Sequence, residues 1–321
     1  VMEYLMLQKP EERTGMVVLQ AESEVASINM MYGAAGTGKK VMTSSSSPGI
    51  SLMQEGISYI AGAELPCLIV NVVRGGPGLG TIQPSQADYF QAVKGGGHGD
   101  YRLIVLAPAS VQEMADFVDL GFELAFKYRN PAMILSDGLI GQMMEKVELP
   151  PQKERVSEFD QSWVITGKHN GRERNIITSL NLDPDLQYEH NLKLKAKYDS
   201  MQQDVMFEKI ACDDADFLLV AYGSSARICQ KVVEMARSRG KKVGLLRPQT
   251  LFPFPGEELA RMARRVKGMM AVELSSGQMV EDVKLAVNGR IPVYHYGMVG
   301  GKIHSPDDVL KALEEKYIGG Y

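Results

Sequence analysis

The sequence contains little cysteine and no long hydrophobic run. Three of its 321 residues are cysteines, and Cys67, Cys212 and Cys229 lie far apart with no C-x-x-C motif. This spacing excludes a disulfide scaffold, a zinc ribbon and an iron–sulfur site built from this chain alone. No apolar run approaches the roughly 18 residues that cross a bilayer, and unpaired thiols suit a reducing compartment. We therefore expect a cytoplasmic protein that does not bind membranes.

The chain also lacks an excess of basic charge. Lysine and arginine total 35 against 39 aspartate and glutamate residues, which gives a net charge of −4. Nucleic-acid-binding domains are usually strongly basic, so we expect no nucleic-acid partner. Apolar residues make up 45% of the chain and charged residues 23%, as in globular proteins. A length of 321 residues corresponds to about two domains of roughly 150 residues each.

Strand and helix signals alternate through the first half of the chain. Three apolar runs are typical of strands buried on both faces: residues 65–73, 103–106 and 131–135. Helices are predicted over residues 21–36 and 111–128, the second opened by a capping box at Ser110. A further helix is predicted to begin at Pro48 with Ser47 as its cap. This alternation predicts a mostly parallel sheet with helices on both faces.

A second alternation follows a polar segment that begins near Pro150 and Pro151. Residues 183–210 are predicted to form one long charged helix. Four strands and three helices then follow: strands at 217–221, 243–246, 269–273 and 293–296, helices at 225–238 and 257–266, and a last helix capped by Ser305. We predict a parallel-sheet domain over 1–150, a linker with a long helix over 151–210, and a smaller α/β domain over 211–321.

Ligands of open parallel sheets bind beyond the carboxyl ends of the strands, and four segments of the chain are predicted to lie there. The first is residues 20–24 (QAESE). Glu22 and Glu24 are predicted in a first helical turn, where acids usually interact only with the helix dipole. Glu24 lies deeper in the apolar pattern of the helix, so its carboxylate needs a partner.

The second segment is a serine run at residues 43–49 (TSSSSPG). Such a run is often a flexible linker, but this one is short and lies between a strand and a helix that starts with proline. It is at least equally consistent with a turn that offers hydroxyls and helix N–H groups to a polar or anionic ligand. Ser45, Ser46 and Ser47 are its candidate ligand-binding residues.

The third and fourth segments are rich in glycine. Residues 71–80 (NVVRGGPGLG) place Arg74 at a strand end, where its fork of donors suits a carboxylate; the alternative is a surface arginine on a loop. Residues 94–100 (KGGGHGD) contain His98, which is either a proton carrier, a common role of histidine side chains, or part of a pliable joint. Residues 33–40 (GAAGTGKK) nearly match a phosphate-binding P-loop. We exclude that function because Lys40 stands where the motif needs serine or threonine.

With these segments side by side, the chain resembles a known family, the 2-oxoacid:ferredoxin oxidoreductases, and within it the α subunit of the multi-subunit type. The matching runs are residues 19–24 (LQAESE), 43–49, 74–78 (RGGPG), 83–88 (QPSQAD), 94–101 and the Asp137-Gly138 turn. The resemblance extends from Val1 to about Tyr317. It implies a thiamine diphosphate pyrimidine-binding domain followed by a domain like the C-terminal domain of transketolase.

The resemblance also implies roles for individual residues. Glu24 matches the catalytic glutamate that hydrogen-bonds the aminopyrimidine ring of thiamine diphosphate, and Ser45 and Ser46 fall in the cofactor-binding turn. Arg74 matches the arginine near the substrate carboxylate, with Ser46, Ser47 and His98 as further substrate-binding residues. No metal-binding residue is expected.

The reaction implied is the oxidative decarboxylation of a 2-oxoacid, with 2-oxoisovalerate as the expected substrate, to acyl-coenzyme A and carbon dioxide with reduction of ferredoxin. The expected partners are a β subunit that binds the diphosphate, γ and ferredoxin-like subunits, ferredoxin, coenzyme A and a second copy of this chain. Mg²⁺ and iron–sulfur clusters are expected on partner subunits, because no Gly-Asp-Gly motif with a downstream asparagine is present.

The chain departs from the family pattern at its start. It opens on an uncapped apolar stripe at Val1, and the family's first strand and Pro-x-Thr-Pro turn are missing, so we expect a truncated chain with an incomplete site. Two other functions stay open. A lipoyl-dependent 2-oxoacid dehydrogenase β subunit would share the architecture and the glutamate, and a non-catalytic assembly subunit would share the fold alone.

Overall fold

The computed structural model of the chain describes residues 2–149, 159–168, 171 and 173–319. The first half contains α1 (Met2–Gln8), α2 (Pro10–Thr14), α3 (Glu24–Ala35), β1 (Met42–Ser45), α4 (Ser47–Gly62), β2 (Cys67–Val73), α5 (Tyr89–Val93), β3 (Ile104–Leu106), α6 (Val111–Tyr128), β4 (Pro131–Asp137) and α7 (Gly138–Gln142). The second half contains α8 (Pro184–Ser200), a 3-10 turn (Met201–Asp204), β5 (Phe207–Ile210), β6 (Phe217–Val220), α9 (Gly223–Ser238), β7 (Val243–Pro248), β8 (Thr250–Phe252), α10 (Gly256–Met262), β9 (Gly268–Glu273), α11 (Met279–Val287), β10 (Val293–Gly297) and α12 (Pro306–Gly319). The predicted break at Pro150 and Pro151 lies outside the described residues.

Two sheets, both largely parallel, organise the chain. In the first sheet β1, β2, β4 and β3 are parallel in that order, and β8 adds an antiparallel edge beside β3. In the second sheet β10, β9, β6 and β7 are parallel, and β5 adds an antiparallel edge beside β7. The predicted α/β class with two parallel-dominant sheets is confirmed. Since β8 comes from the second half of the chain, the first sheet contains strands of both halves and joins them.

The central strands of the first sheet are apolar because helices cover both of their faces. Every residue of β4 is buried, and in β2 the single exception is Val72, which is half-buried. One apolar core continues from this sheet to α10, α11 and one face of β9. A second core lies between the other face of the second sheet and α9 and α12. The shared core holds the second half of the chain against the first.

The start of α4 differs from the prediction. The helix begins at Ser47 with Ser46 in the capping position, and Pro48 is its second residue. Ser47 was predicted as the cap, but its hydroxyl accepts a hydrogen bond from the Arg74 amide at 3.1 Å instead of one from its own helix. The Ser47 hydroxyl is therefore bonded to a segment that is distant in sequence and does not cap α4.

The long helix predicted over residues 183–210 is also shorter than expected. It ends at Ser200, and its last predicted residues form β5. The carbonyl of Met206 accepts hydrogen bonds from the amides of Gln249 at 2.9 Å and Thr250 at 3.1 Å. Antiparallel pairing of β5 with β7, together with these two bonds, therefore overrides the helical pattern of this charged segment.

Candidate active site

The serine run forms a turn between the end of β1 and the start of α4. Ser45 ends β1, where it pairs with Asn71 of β2, and Ser46 precedes the helix. The Asn71 side chain accepts a hydrogen bond from the Ser47 amide at 3.1 Å, and the Ser47 hydroxyl bonds the Arg74 amide. Hydroxyls and a helix N-terminus thus lie at the carboxyl edge of the sheet, as predicted. The linker alternative is wrong, because this turn is fixed on both sides.

Glu24 lies beside that turn. It is the first residue of α3, after Ser23, whose hydroxyl accepts a hydrogen bond from the Ala26 amide at 3.2 Å. A β carbon at Gly49 would lie 2.9 Å from Oε1 of Glu24 and 2.1 Å from the Ser45 hydroxyl. Glycine at position 49 therefore allows the carboxylate and the serine to pack directly against the first turn of α4.

The Glu24 carboxylate is half-buried. Across the described parts of the chain, no hydrogen bond or ion pair reaches it. Its acceptor positions are therefore open to a hydrogen-bonding group of a ligand. Glu24 is therefore placed to bind a polar ligand from the edge of the sheet.

Glu22 behaves differently from Glu24. It is exposed and precedes α3, so the prediction that both acids lie in the first helical turn is wrong for Glu22. The neighbouring Ser23 hydroxyl donates to its carboxylate at 3.4 Å. Because the two side chains differ in exposure and position, Glu22 serves as a matched control for Glu24.

Arg74 begins a tight loop at the end of β2. Its backbone pairs with Pro84, and the Gly75 amide donates to the Gln83 carbonyl at 2.9 Å, so the two ends of the loop are joined. The Arg74 side chain is half-buried, and its Nε is buried with no hydrogen-bond partner among the described residues. A guanidinium with an unused buried donor fits an anionic ligand, and a carboxylate can accept from two of its N–H groups.

Asn71 and Asp88 support this site and were not among the predicted site residues. Asn71 is fully buried within β2, and its amide nitrogen donates to the Asp88 carboxylate at 3.0 Å. Its oxygen accepts from the Ser47 amide, so one side chain joins β2, α4 and the segment that follows the Arg74 loop. The signal that identifies Asn71 is an amide within an otherwise apolar strand, since buried amides are normally hydrogen-bonded.

His98 lies on an exposed loop away from these contacts. The amides of Gly96 and Gly97 donate to the Tyr101 hydroxyl at 3.3 and 2.9 Å, and that hydroxyl donates to Gln54 of α4 at 3.2 Å. These bonds fold the loop against the second turn of α4. Within the residues the structure describes, no hydrogen bond connects His98 with the serine turn or with Arg74.

Asp137 has a structural role at the end of β4. Its carboxylate accepts from the amides of Leu139 and Ile140 and, at 2.6 Å, from the Ser224 hydroxyl of α9. Burial is the main cause that raises the pKa of this carboxyl. Its carboxylate oxygens therefore accept hydrogen bonds from both α7 and α9 and join the two helices.

The described residues contain no cluster of three metal-ligating side chains, and no described helix is both long and apolar enough to cross a membrane.

Comparison with known proteins identifies relatives over almost the whole chain. Residues 1–209 match the family model described as pyruvate flavodoxin/ferredoxin oxidoreductase, thiamine diphosphate-binding, and residues 215–309 match pyruvate:ferredoxin oxidoreductase core domain II. The chain is 51% identical over 304 residues to the ketoisovalerate oxidoreductase subunit VorB of Methanothermobacter marburgensis, covering 94% of this chain and 85% of that protein. It is 37% identical over 305 residues to the 2-oxoglutarate synthase subunit KorA of Archaeoglobus fulgidus, covering 94% and 86%.

Two solved structures share the fold. The 2-oxoglutarate:ferredoxin oxidoreductase from Magnetococcus marinus matches with a TM-score of 0.79 and 25% identity, covering 98% of this chain and 59% of that chain. A split-gene transketolase matches with a TM-score of 0.57 and 15% identity, covering 91% and 81%, and shows the fold alone. The expected pairing of a thiamine diphosphate-type domain with a transketolase-like domain is therefore confirmed.

Proposed function

Because the chain belongs to the 2-oxoacid:ferredoxin oxidoreductase family, we propose that it forms one half of a thiamine diphosphate site in a multi-subunit enzyme. In the proposed reaction the bond between the carboxylate carbon and the ketone carbon of a 2-oxoacid breaks. Carbon dioxide leaves, the sulfur of coenzyme A takes the acyl group and releases its thiol proton, and the two electrons pass singly through iron–sulfur clusters to ferredoxin. The 51% identity with a ketoisovalerate oxidoreductase subunit favours 2-oxoisovalerate as the substrate.

The single observation that carries the proposal is the state of Glu24. Glu24 is half-buried, its carboxylate accepts no hydrogen bond from the described residues, and it lies beside Gly49 and Ser45 at the carboxyl edge of the sheet. Thiamine diphosphate, when bound, supplies the carbon nucleophile that attacks the ketone. Glu24 would hydrogen-bond the aminopyrimidine ring and exchange a proton with it, while Ser45 and Ser46 would hold the same ring in place.

Arg74 would bind the substrate carboxylate. Its unpaired buried Nε supports this role, because an anion would satisfy the donor. Ser46 would contact the substrate directly, whereas Ser47 would act through Arg74, since its hydroxyl bonds the Arg74 amide. We keep His98 as a proposed substrate-binding residue on its exposed loop.

Partner subunits would complete the site. The chain's thiols are buried, and burial raises the pKa of Cys67 to about 12, so they are poor sources of the thiolates that iron–sulfur clusters need. We therefore propose that a β subunit holds the diphosphate with Mg²⁺ and that partner subunits carry the clusters. A second copy of this chain and transfer to a ferredoxin in the cytoplasm belong to the same proposal.

The purified complex tests this function. With a 2-oxoacid and coenzyme A but no lipoate, it should reduce ferredoxin or a viologen dye, and omission of coenzyme A should stop turnover. A requirement for lipoate would instead indicate a lipoyl-dependent dehydrogenase β subunit. Full activity of a complex assembled without this chain would indicate an assembly subunit. Neither alternative is favoured by the relatives, which include a ketoisovalerate oxidoreductase subunit and a 2-oxoglutarate:ferredoxin oxidoreductase.

A further inference from the structure

The loop that carries Arg74 is closed at its base. We call residues 74–84 the Arg74 loop. Besides the Arg74–Pro84 bridge and the bond from the Gly75 amide to the Gln83 carbonyl, the Thr81 amide donates to the Gly75 carbonyl at 2.8 Å. The base of the loop is therefore a small hydrogen-bonded unit, and a displacement of Gln83 or Thr81 moves Gly75 and the adjoining arginine with it.

This base packs against a turn of the second half of the chain, after β10. A β carbon at Gly75 would lie 3.1 Å from the Gly301 amide nitrogen and 3.3 Å from the Gly300 carbonyl carbon. A β carbon at Gly301 would lie 2.4 Å from the β carbon of Gln83 and 3.0 Å from the Thr81 side chain. The contact therefore leaves no room for a side chain at Gly301, where a β carbon would overlap the Gln83 side chain, and little room for one at Gly75.

The segment that leaves the loop is fixed to the second half as well. Gln86 is buried, its side chain donates to the Tyr222 carbonyl at 2.9 Å, and it accepts from the Leu274 amide at 2.9 Å. Two residues later Asp88 accepts from Asn71, which in turn binds the Ser47 amide. The Arg74 loop is therefore held between the second sheet and the serine turn.

We infer that Gly301 is a positioning residue that sets the place of Arg74, and thereby the affinity for the 2-oxoacid. The inference rests on the proposed role of Arg74 in binding the substrate carboxylate. It gives the second domain a part in substrate binding although that domain contributes no residue to the proposed site. A larger residue at 301 pushes Gln83 away, and the shift passes through the closed base of the loop to the arginine.

The test compares two neighbouring glycines in the assembled complex. Gly301→Ala and Gly300→Ala both place a side chain at positive φ (+86° and +66°), but a β carbon at Gly300 meets nothing within 4 Å. Gly301→Ala should raise KM for the 2-oxoacid roughly 10-fold or more, because a misplacement near 1 Å in a binding group can cost about 100-fold. KM for coenzyme A should not change, and Gly300→Ala should leave both constants near those of the wild type.

A compensating substitution separates positioning from general damage. Gln83→Gly removes the β carbon that collides with Ala at 301, so the double variant Gly301→Ala/Gln83→Gly should recover the wild-type KM. Equal effects of Gly300→Ala and Gly301→Ala, or failure of this rescue, would overturn the inference.

Arg74→Gln, assayed in parallel, distinguishes failure of the inference from failure of the proposed function. If Arg74→Gln leaves KM for the 2-oxoacid unchanged, Arg74 does not bind the substrate, and both the proposed role and the inference fall. If Arg74→Gln raises KM while Gly301→Ala does not, the proposed role stands and the inference alone is wrong.

Discussion

The hydroxyl of Ser47 accepts a hydrogen bond from the amide of Arg74 at 3.1 Å, so the first residue of α4 is joined to the residue that follows β2. The two residues are 27 positions apart in sequence and lie in segments that were predicted separately as ligand-binding. Their contact makes the serine turn and the arginine loop one unit, with Glu24 beside it.

Arg74→Lys should raise KM for 2-oxoisovalerate, pyruvate and 2-oxobutyrate by similar factors, roughly 10- to 100-fold, the usual loss for one charge-assisted hydrogen bond. Lysine keeps the charge but loses the two-pronged geometry that fits a carboxylate. Because every 2-oxoacid carries the same carboxylate, the rank order of substrates should not change. If steady-state assays of the variant complex show that one substrate is spared and another is lost, Arg74 contacts the side chain of the substrate instead of its carboxylate.

Asn71→Ala should destabilise the chain by about 2–4 kcal/mol, because it removes two buried hydrogen bonds and leaves a cavity. Asn29→Ala is a matched control: Asn29 is exposed on α3 and bonds only its own helix, to the Val25 carbonyl at 2.8 Å. Its effect should stay within about 0.5 kcal/mol. Thermal unfolding of both variant complexes measures the difference, and equal midpoints would contradict the role assigned to Asn71.

His304 should make stability depend on pH. Burial lowers the pKa of this imidazole to about 4, and Glu273 and His295 lie close by. Between pH 6.5 and about 4 the His304 imidazole is largely protonated in the unfolded chain but largely neutral in the folded chain. The free energy of unfolding therefore falls as the pH falls through this window. The loss can reach about 3 kcal/mol, and stability is unaffected by this group above pH 6.5.

His304→Phe should flatten the pH dependence of the unfolding midpoint between pH 4 and 6.5. His98→Gln, which changes an exposed imidazole, should leave that dependence as it is in the wild type. Identical profiles for His304→Phe and the wild type would mean that another group is responsible for the acid sensitivity.

The sequence predicted those parts of the fold whose signals are local. Buried strands such as β2 and β4 are continuous apolar runs, and the Ser110 hydroxyl caps α6 as expected, accepting from the Glu113 amide at 3.1 Å. β8 was not predicted because it has three residues and forms only through pairing with β3. α11 was not predicted because its start depends on a tertiary contact. The buried Glu273 carboxylate, which lies outside the helix, accepts hydrogen bonds from the first amides of α11.

The same distinction between local signals and tertiary contacts applies to the candidate site. The serine run and Arg74 were predicted because each lies at the end of a strand, and the structure has β1 and β2 there. Glu24 was predicted on the same ground, but residues 15–21 form no strand, and Glu24 reaches the same edge as the first residue of α3, beside Ser45 and Gly49. Asn71 was missed because its importance lies in two contacts that sequence spacing does not reveal. The loop that carries His98 is bonded to Gln54 of α4 through Tyr101, and among the described residues no hydrogen bond joins His98 to the serine turn or to Arg74.

The isolated chain should not bind thiamine diphosphate tightly, because the proposal places the diphosphate and Mg²⁺ on a partner subunit. Calorimetric titration of the purified chain with Mg²⁺ and the cofactor should give a flat isotherm, whereas the assembled complex should bind. A dissociation constant below about 1 μM for the chain alone would contradict the shared site.

The central claim is that Glu24 acts on the cofactor, and Glu24→Gln in the assembled complex tests it most directly. The variant should assemble normally and lose activity roughly 100- to 10,000-fold, as expected for a lost acid–base partner. Glu22→Gln, at the exposed acid two residues earlier, should retain nearly full activity. Equal losses in the two variants, or full activity of Glu24→Gln in ferredoxin reduction with 2-oxoisovalerate and coenzyme A, would contradict the account.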